Sequence, residues 1–452
     1  MNLLMTKSMT NADTHTQRVA ILGAGPIGIE CASALQRSLP NISEIIILEA
    51  GDTIASNIRQ NWPHVRLFSP WKYNTSTSSR EVLRSDGQDA EGYDGDKCVT
   101  GGEYIDQYLE PVAKALVKCD NVQLHLRTRV VSVGRSGLLK RDMGKEARSK
   151  GKFNILCTRI PLGGKKESVG DEFCFRDVDA VLDCTGTRSD YSWFGEGGMP
   201  AIGEKQLSRD KDSGSFFTRL IPQVGEVKGK RVAVIGSGYS AATSVRNLID
   251  SPTVQQIYWL TRRVLGKSGQ LYRVLEGDAL QNRAALCEMA NELVSRNPEP
   301  EGDGSGMENK VAHIDNCTIT YATLNESTNG STPTITLTID ATDPTAERLP
   351  VHKLDVDYLV SNVGMRPDLS IHSELQVHTC YATEGPMALA ATLLGASGDC
   401  LTQATPGIDS LLTPEPNFFV LGNKSYGRSS AFLMRVGIEQ AEAVALYLRE
   451  QI

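Results

Sequence analysis

Twice in this chain a short apolar run leads at once into a glycine-rich turn and then a helical pattern. The first copy is Arg18 to Gln36, RVAILGAGPIGIECASALQ, and the second is Lys230 to Leu248, KRVAVIGSGYSAATSVRNL. A buried strand that feeds a helix through such a turn belongs to a βαβ unit on a parallel sheet, so the expected architecture is α/β, built twice. The glycines have separable roles. Gly23 permits the tight turn, Gly25 lets the backbone approach a pyrophosphate, and Gly28 lets the helix pack close to the sheet. Phosphates then sit at a helix N-terminus, where unpaired N–H groups and the helix dipole favour an anion. In the second copy the turn is Gly236, Ser237, Gly238, Tyr239 and Ser240, and Ala241 stands at the third glycine position, as the pattern allows.

The two copies differ at the residue that should meet the ribose. The strand Ile45 to Leu48 ends at Glu49, 26 residues after Gly23, where a carboxylate accepts hydrogen bonds from a ribose diol. The strand Ile257 to Leu260 ends in Thr261-Arg262-Arg263, and Arg262 holds the same offset of 26 residues from Gly236. An arginine there cannot accept from a 2′-hydroxyl but pairs with a 2′-phosphate. Two unlike sites in one chain point to FAD in the first unit and NADPH in the second. The alternative for Arg262 and Arg263 is a pair of solvated surface charges.

The remaining composition narrows the classes. The chain has 452 residues, 40% of them hydrophobic and 22% charged, enough for two or three packed domains. Lys plus Arg is 47 against 54 Asp plus Glu, so no basic excess points to nucleic acid. No apolar run reaches the roughly 18 residues of a membrane span. The apolar start ends at Met5, short of a secretory signal, so residues 1–15 are expected to be a loose tail and the location cytoplasmic. Of ten cysteines no two are three apart, which excludes a CxxC redox pair and tandem zinc knuckles. No metal site is expected.

On these residues the chain resembles the flavoproteins with two dinucleotide-binding domains, a superfamily that includes glutathione reductase-like enzymes, thioredoxin reductases and class B flavin monooxygenases. Val181 to Thr187 (VLDCTGT) is similar to the family's strand ending in a Thr-Gly turn near the flavin, which implies flavin contacts for Thr185 and Gly186. Leu359 to Asp368 resembles its counterpart where the chain leaves the NADPH domain. Asn417 to Asn423 resembles the late strand that normally ends Gly-Asp, implying that Gly422 and Asn423 contact the flavin, with an uncharged amide replacing the usual carboxylate. The helical stretch Ala431 to Gln451 then has its N-terminus at the flavin, with backbone donors from Ser430 and Phe432, and Tyr426 and Arg428 face substrate or nucleotide or pin the loop. Several runs, among them His64 to Trp71 (HVRLFSPW), are similar to a group of bacterial-type flavoproteins described as monooxygenases or FAD-dependent oxidoreductases.

The resemblance implies an FAD domain in two pieces, 16–195 and 355–452, with an NADPH domain inserted at 196–354. Strands of a β-meander are expected over 122–160, interrupted by a solvated basic hairpin at 140–152, and a second meander over 317–359. A helix is expected over 278–294, a polar linker over 297–306 and a core helix over 387–394. The monooxygenase fingerprint FxGxxxHxxxW does not fit Phe216 to Pro222, so the orthodox members of that branch are not supported. By analogy of position Asn74 is the candidate to steady an oxygenated flavin, with His64 and Arg66 as further donors and His64 also as acid or base. Trp62, Phe68 and Trp71 would wall a dry pocket, Trp71 against the cofactor, or form ordinary core.

The expected function is an NADPH-dependent FAD monooxygenase that forms a flavin hydroperoxide and oxygenates a small heteroatom or carbonyl substrate with dioxygen. A reductase passing electrons to a quinone or protein carrier, and a nucleotide-binding redox sensor, stay open. So does a homodimer.

Overall fold

The computed structural model describes residues 17–161, 170–187, 190–209, 216–263, 265, 269–296, 310–325, 333–345, 352–394 and 407–451. The expected tail and the linker 297–306 lie outside them.

The first glycine turn belongs to a five-stranded parallel sheet in the order Phe418–Val420, Ala180–Asp183, Arg18–Leu22, Glu44–Leu48, Val122–His125. The second belongs to another, ordered Val311–Ile314, Gln256–Leu260, Arg231–Ile235, Tyr358–Ser361, Phe217–Thr218. Both sheets are covered on both faces, which is why their strands read as unbroken apolar runs. In the first, Val19, Ile21, Ile45 and Ile47 pack on the helices Pro26–Ser38 and Met434–Gln451. Their alternates Ala20, Leu22, Ile46 and Leu48 pack on Val133, Phe153 and Ile155 of an antiparallel sheet, Thr128–Arg135, Phe153–Arg159 and Glu172–Val178. The second unit repeats this layering. Val232, Val234, Ile257 and Trp259 meet the helices Tyr239–Ile249 and Gln281–Ser295. Ala233, Ile235 and Leu260 meet the sheet Cys317–Asn325, Thr334–Ala341, Lys353–Val356.

The boundaries depart from the expected ones in three places. The strand Tyr358–Ser361 lies in the second sheet, and the chain crosses between units at a two-stranded ribbon, Asp190–Tyr191 against Met365–Arg366. The return to the first unit therefore falls at 365–366 rather than at 355, because an apolar strand signal does not say which of two similar sheets it joins. Val122–His125 is the edge of the first parallel sheet, so the first meander begins at Thr128. The helices begin slightly later than read, at Gln281 and Met434, while Met387–Leu394 is a helix at the expected bounds but not a core one, since only Leu389 and Ala390 of it are buried.

The basic stretch 140–152 is not simply solvated. It holds the short helix Lys145–Lys150, whose Arg148 has a side chain 1% exposed. Arg148 Nη2 donates to Glu415 Oε2 at 2.6 Å and Arg135 Nε to Glu415 Oε1 at 2.7 Å, while the Gln376 N–H adds a bond of 2.8 Å to Oε2. Burial raises the Glu415 pKa, but Arg148, the Gln376 amide and Arg135 outweigh it and hold the carboxyl below its ordinary value. A group depressed in the folded state stabilises above its unfolded pKa of about 4.3 and loses that contribution as pH falls through the folded value. Glu415→Gln leaves two buried guanidinium groups without their anion, and an expected loss of roughly 3–5 kcal/mol is read by urea denaturation at pH 7. The gap between variant and parent should narrow below pH 4.

Candidate functional site

The C-terminal ends of the two parallel sheets open on one cavity of about 1310 Å³, lined by both glycine turns. Small-molecule sites usually run to about 300–1,000 Å³, so this volume suits more than one ligand. In the first turn Gly23 has φ +94° and its N–H donates to the Leu48 carbonyl at 2.7 Å. A Cβ on Gly28 would lie 1.9 Å from the Gly23 oxygen, whereas one on Gly25 would meet nothing within 4 Å. Gly28 thus allows the close helix-to-turn packing, and Gly25 leaves open space beside the turn. Glu49 is fixed at the strand end: Oε2 accepts from the Ala24 N–H at 2.9 Å, and Oε1 from the Gly51 N–H at 2.7 Å and Ser56 Oγ at 2.8 Å. It lines the cavity where a ribose would follow the phosphates.

The second turn has the same logic with different supports. Gly236 has φ +136°, and the turn is anchored by Trp259, whose Nε1 donates to the Gly236 carbonyl at 2.8 Å. Tyr272 stacks on Tyr239 with ring centroids 5.7 Å apart, and its hydroxyl donates to the Gly238 carbonyl at 2.9 Å. Gly236, Ser237, Gly238, Tyr239, Ser240 and Arg262 all line the cavity, while Arg263 is exposed away from it. Arg262 is exposed and has no hydrogen bond or ion pair among the described residues. Across the cavity Phe68 of the first unit meets Tyr239 edge-on at 5.6 Å.

Two further turns close the first unit's side, one after each neighbouring strand. Thr185 and Gly186 follow Ala180–Asp183, and Gly422 and Asn423 follow Phe418–Val420; all four line the cavity, as does Phe432. Phe432 sits just ahead of the last helix rather than within it. Asn423 Nδ2 donates to Thr187 Oγ1 at 2.8 Å. Beneath these turns lies a pair that sequence reasoning missed. Lys424 and Asp183 have side chains 0% exposed, with Nζ 2.6 Å from Oδ2. Burial alone would raise the Asp183 pKa; the Lys424 ammonium and the His372 ring, its Nδ1 3.6 Å away, override that and hold it well below the carboxylate range.

The expected catalytic residues are not gathered into one cluster. Asn74 lines the cavity but is fully buried, its Oδ1 accepting from Ser69 Oγ at 2.6 Å and its Nδ2 donating to the Ser69 carbonyl at 2.8 Å. Arg66 also lines it, with Nη1 donating to the Cys98 carbonyl at 2.7 Å. His64 is not among the lining residues; its Nε2 is 3.0 Å from the Ile221 carbonyl, so it ties the two units together. Trp71 is likewise off the cavity, buried among Tyr93, Tyr104 and Tyr108. Trp62 and Phe68 do form part of the wall. Tyr426 is buried, and Arg428 lines the cavity while its Nη2 donates to Glu384 Oε1 at 2.9 Å. Sequence reading also missed Arg219, a lining residue paired with the buried Glu204 at 3.1 Å. Lys424 lies 241 positions from its partner and Arg219 lies 15 from its own, and no local signal marks either pair.

Six arginines line the cavity, at 66, 129, 219, 262, 283 and 428, against three carboxylates at 49, 52 and 368. Three of the six are paired with carboxylates behind the wall, Arg219 with Glu204, Arg283 with Asp278 and Arg428 with Glu384.

No family model and no curated protein matches the chain. Solved structures do. The bacillithiol disulfide reductase of Bacillus cereus is 17% identical, with a TM-score of 0.59 over 97% of this chain and 100% of its own. The ornithine hydroxylase of Pseudomonas aeruginosa is 17% identical, with a TM-score of 0.56 over 96% and 99%. The cadaverine monooxygenase of the desferrioxamine pathway of Erwinia amylovora, solved with FAD bound, is 13% identical, with a TM-score of 0.54 over 96% and 94%. The chain has the fold of the two-dinucleotide-domain flavoproteins. Reductases and hydroxylases share that fold, so the choice of chemistry has to come from this chain's own residues. Among the described residues no helix is long and apolar enough to cross a membrane, and no group of side chains is arranged to hold a metal ion.

Proposed function

We propose that the protein is an NADPH-dependent FAD monooxygenase that oxygenates a small heteroatom or carbonyl substrate. When bound, FAD supplies the redox chemistry, taking a hydride from NADPH and activating dioxygen. The chain's own residues do the rest. The helix starting at Pro26 receives the FAD pyrophosphate, Glu49 its ribose, and the turns at Thr185-Gly186 and Gly422-Asn423 its flavin end. The helix starting at Tyr239 receives the NADPH phosphates, and Arg262 its 2′-phosphate. Trp62 and Phe68 exclude water from the space between.

The cysteine geometry carries the choice of oxygenase over thiol reductase. Exchange with a disulfide needs a thiolate with access to its partner. Cys184 and Cys317 line the cavity. A hydrogen bond with Cys31, Sγ to Sγ 3.7 Å, and then burial raise the Cys184 thiol well above its ordinary value, and Cys31 is itself 0% exposed. Burial pushes Cys317 up to about 12. Both thiols are shifted away from the reactive thiolate, and Cys184→Ser should leave the rate of flavin reduction by NADPH within about twofold, a ΔΔG‡ near 0.4 kcal/mol, in an anaerobic stopped-flow trace.

One observation favours the second reading, a reductase that passes electrons to a quinone or carrier: the Asn74 amide is already engaged by Ser69. NADPH oxidation is therefore to be followed with a panel of primary amines, thioethers and ketones, amines first because two fold neighbours are named for ornithine and cadaverine. The oxygenase reading expects one member to accelerate turnover with an oxygenated product and little peroxide. Fast anaerobic turnover with a quinone, together with stoichiometric peroxide from every panel member in air, establishes the reductase instead.

A further inference from the structure

We propose that Lys424 is a positioning residue for the flavin site: paired with Asp183, it fixes the two turns that face the first cofactor. The inference rests on the FAD reading above and assigns a task to a pair that lines no part of the cavity itself.

Asp183 ends one strand and Lys424 follows the next strand of the same sheet, at the carboxyl ends where ligands of open α/β sheets bind. From Lys424 the bonds run directly to the cavity wall. Nζ donates to Asp183 Oδ2 at 2.6 Å and to Thr185 Oγ1 at 3.0 Å. The Thr185 hydroxyl donates in turn to Asp183 Oδ1 at 2.6 Å, and its backbone N–H reaches the same oxygen at 3.1 Å. The Leu421 N–H donates to the Asp183 carbonyl at 3.0 Å, and the adjacent Asn423 holds Thr187. The Thr185 hydroxyl is thus committed both as donor and as acceptor. Beside it Gly186 lines the cavity, with φ +74° and open space where a Cβ would stand.

Magnitudes favour positioning over stability as the pair's task. Two ions taken fully out of water forfeit much of what their attraction returns, and apolar replacement of both partners is often neutral or stabilising. Packing alone would be served by two aliphatic side chains. An ion pair with a third, hydroxyl partner adds directional bonds, and these set the register of one turn against the other.

The test uses full-length protein stripped of flavin, with FAD affinity read from quenching of flavin fluorescence and the apo-protein's melting read by circular dichroism. Lys424→Met strands a buried carboxylate, so both melting temperature and affinity should fall. The double variant Asp183→Asn/Lys424→Met removes both charges. Its melting temperature should return close to that of the parent, while its FAD Kd stays raised about tenfold, the loss of roughly one charge-assisted hydrogen bond. Thr185→Val, close in shape and sparing the ion pair, should raise the Kd severalfold and shift the bound flavin's visible bands, which keeps the proposal testable if the charge variants do not fold. Parent-like FAD affinity in the double variant or in Thr185→Val overturns the positioning role while leaving the FAD reading intact. A parent protein that binds no FAD overturns both.

Discussion

Gly236→Ala is expected to yield protein that keeps its FAD but is no longer reduced by NADPH at a useful rate. The backbone at 236 has φ +136°, and a Cβ there would stand 2.3 Å from the Asn362 carbonyl oxygen. That oxygen belongs to the backbone beside the strand Tyr358–Ser361 and cannot swing aside as a side chain does. The strain of such a conformation costs about 1–3 kcal/mol before the clash is counted. Relief requires the turn to shift, which carries the start of the helix Tyr239–Ile249 away from the pyrophosphate. A fall in reduction rate on the order of 100-fold, about 2.7 kcal/mol, is expected. The first glycine turn lies in the other sheet, so FAD content and reduction by dithionite should be unchanged. Anaerobic mixing with NADPH checks this directly; a parent-like rate would show that the second unit does not bind the reductant.

Arg262→Ala should separate the two pyridine nucleotides. The guanidinium lines the cavity, is exposed, and has no described partner, so it pays no desolvation cost before meeting an anion. Charge-assisted hydrogen bonds to a phosphate are worth about 1.5–3 kcal/mol, which is roughly 10- to 100-fold in NADPH affinity. NADH has no 2′-phosphate and should bind the variant as it binds the parent. Because the site is open to solvent, the preference for NADPH should also weaken as salt rises. Isothermal titration with NADP⁺ and NAD⁺ at two ionic strengths measures both effects. An equal loss for the two nucleotides would remove the assignment of the 2′-phosphate to this residue.

The features legible in the sequence are those carried by local pattern. The strand and turn before each helix, and the acid or arginine that ends the next strand, lie within a short window and are recognisable without tertiary information. Alternation announces both three-stranded meanders, yet it also draws Val122–His125 into the wrong sheet, because strand propensity says nothing about pairing partner. The supports of the site are not legible in this way. Lys424 reads as a surface lysine in a polar loop until Asp183, 241 positions away, is brought beneath it. Arg148 reads as one more charge in a basic run until Glu415 is found at its end. Asn74 illustrates the converse: its place on the wall is readable from the sequence, but the local bonds with Ser69 that occupy its amide are not. For Trp71 the sequence leaves open a place against the cofactor or in ordinary core, and the fold puts it in the core among three tyrosines.

The most direct measurement reduces the flavin-loaded protein anaerobically with NADPH and then mixes it with oxygenated buffer in a stopped-flow spectrophotometer, with and without the amine panel. The oxygenase reading expects a transient with a single near-ultraviolet band, distinct from both oxidised and reduced FAD, before the oxidised spectrum returns. Direct return to the oxidised spectrum under every condition, with stoichiometric peroxide, would contradict it.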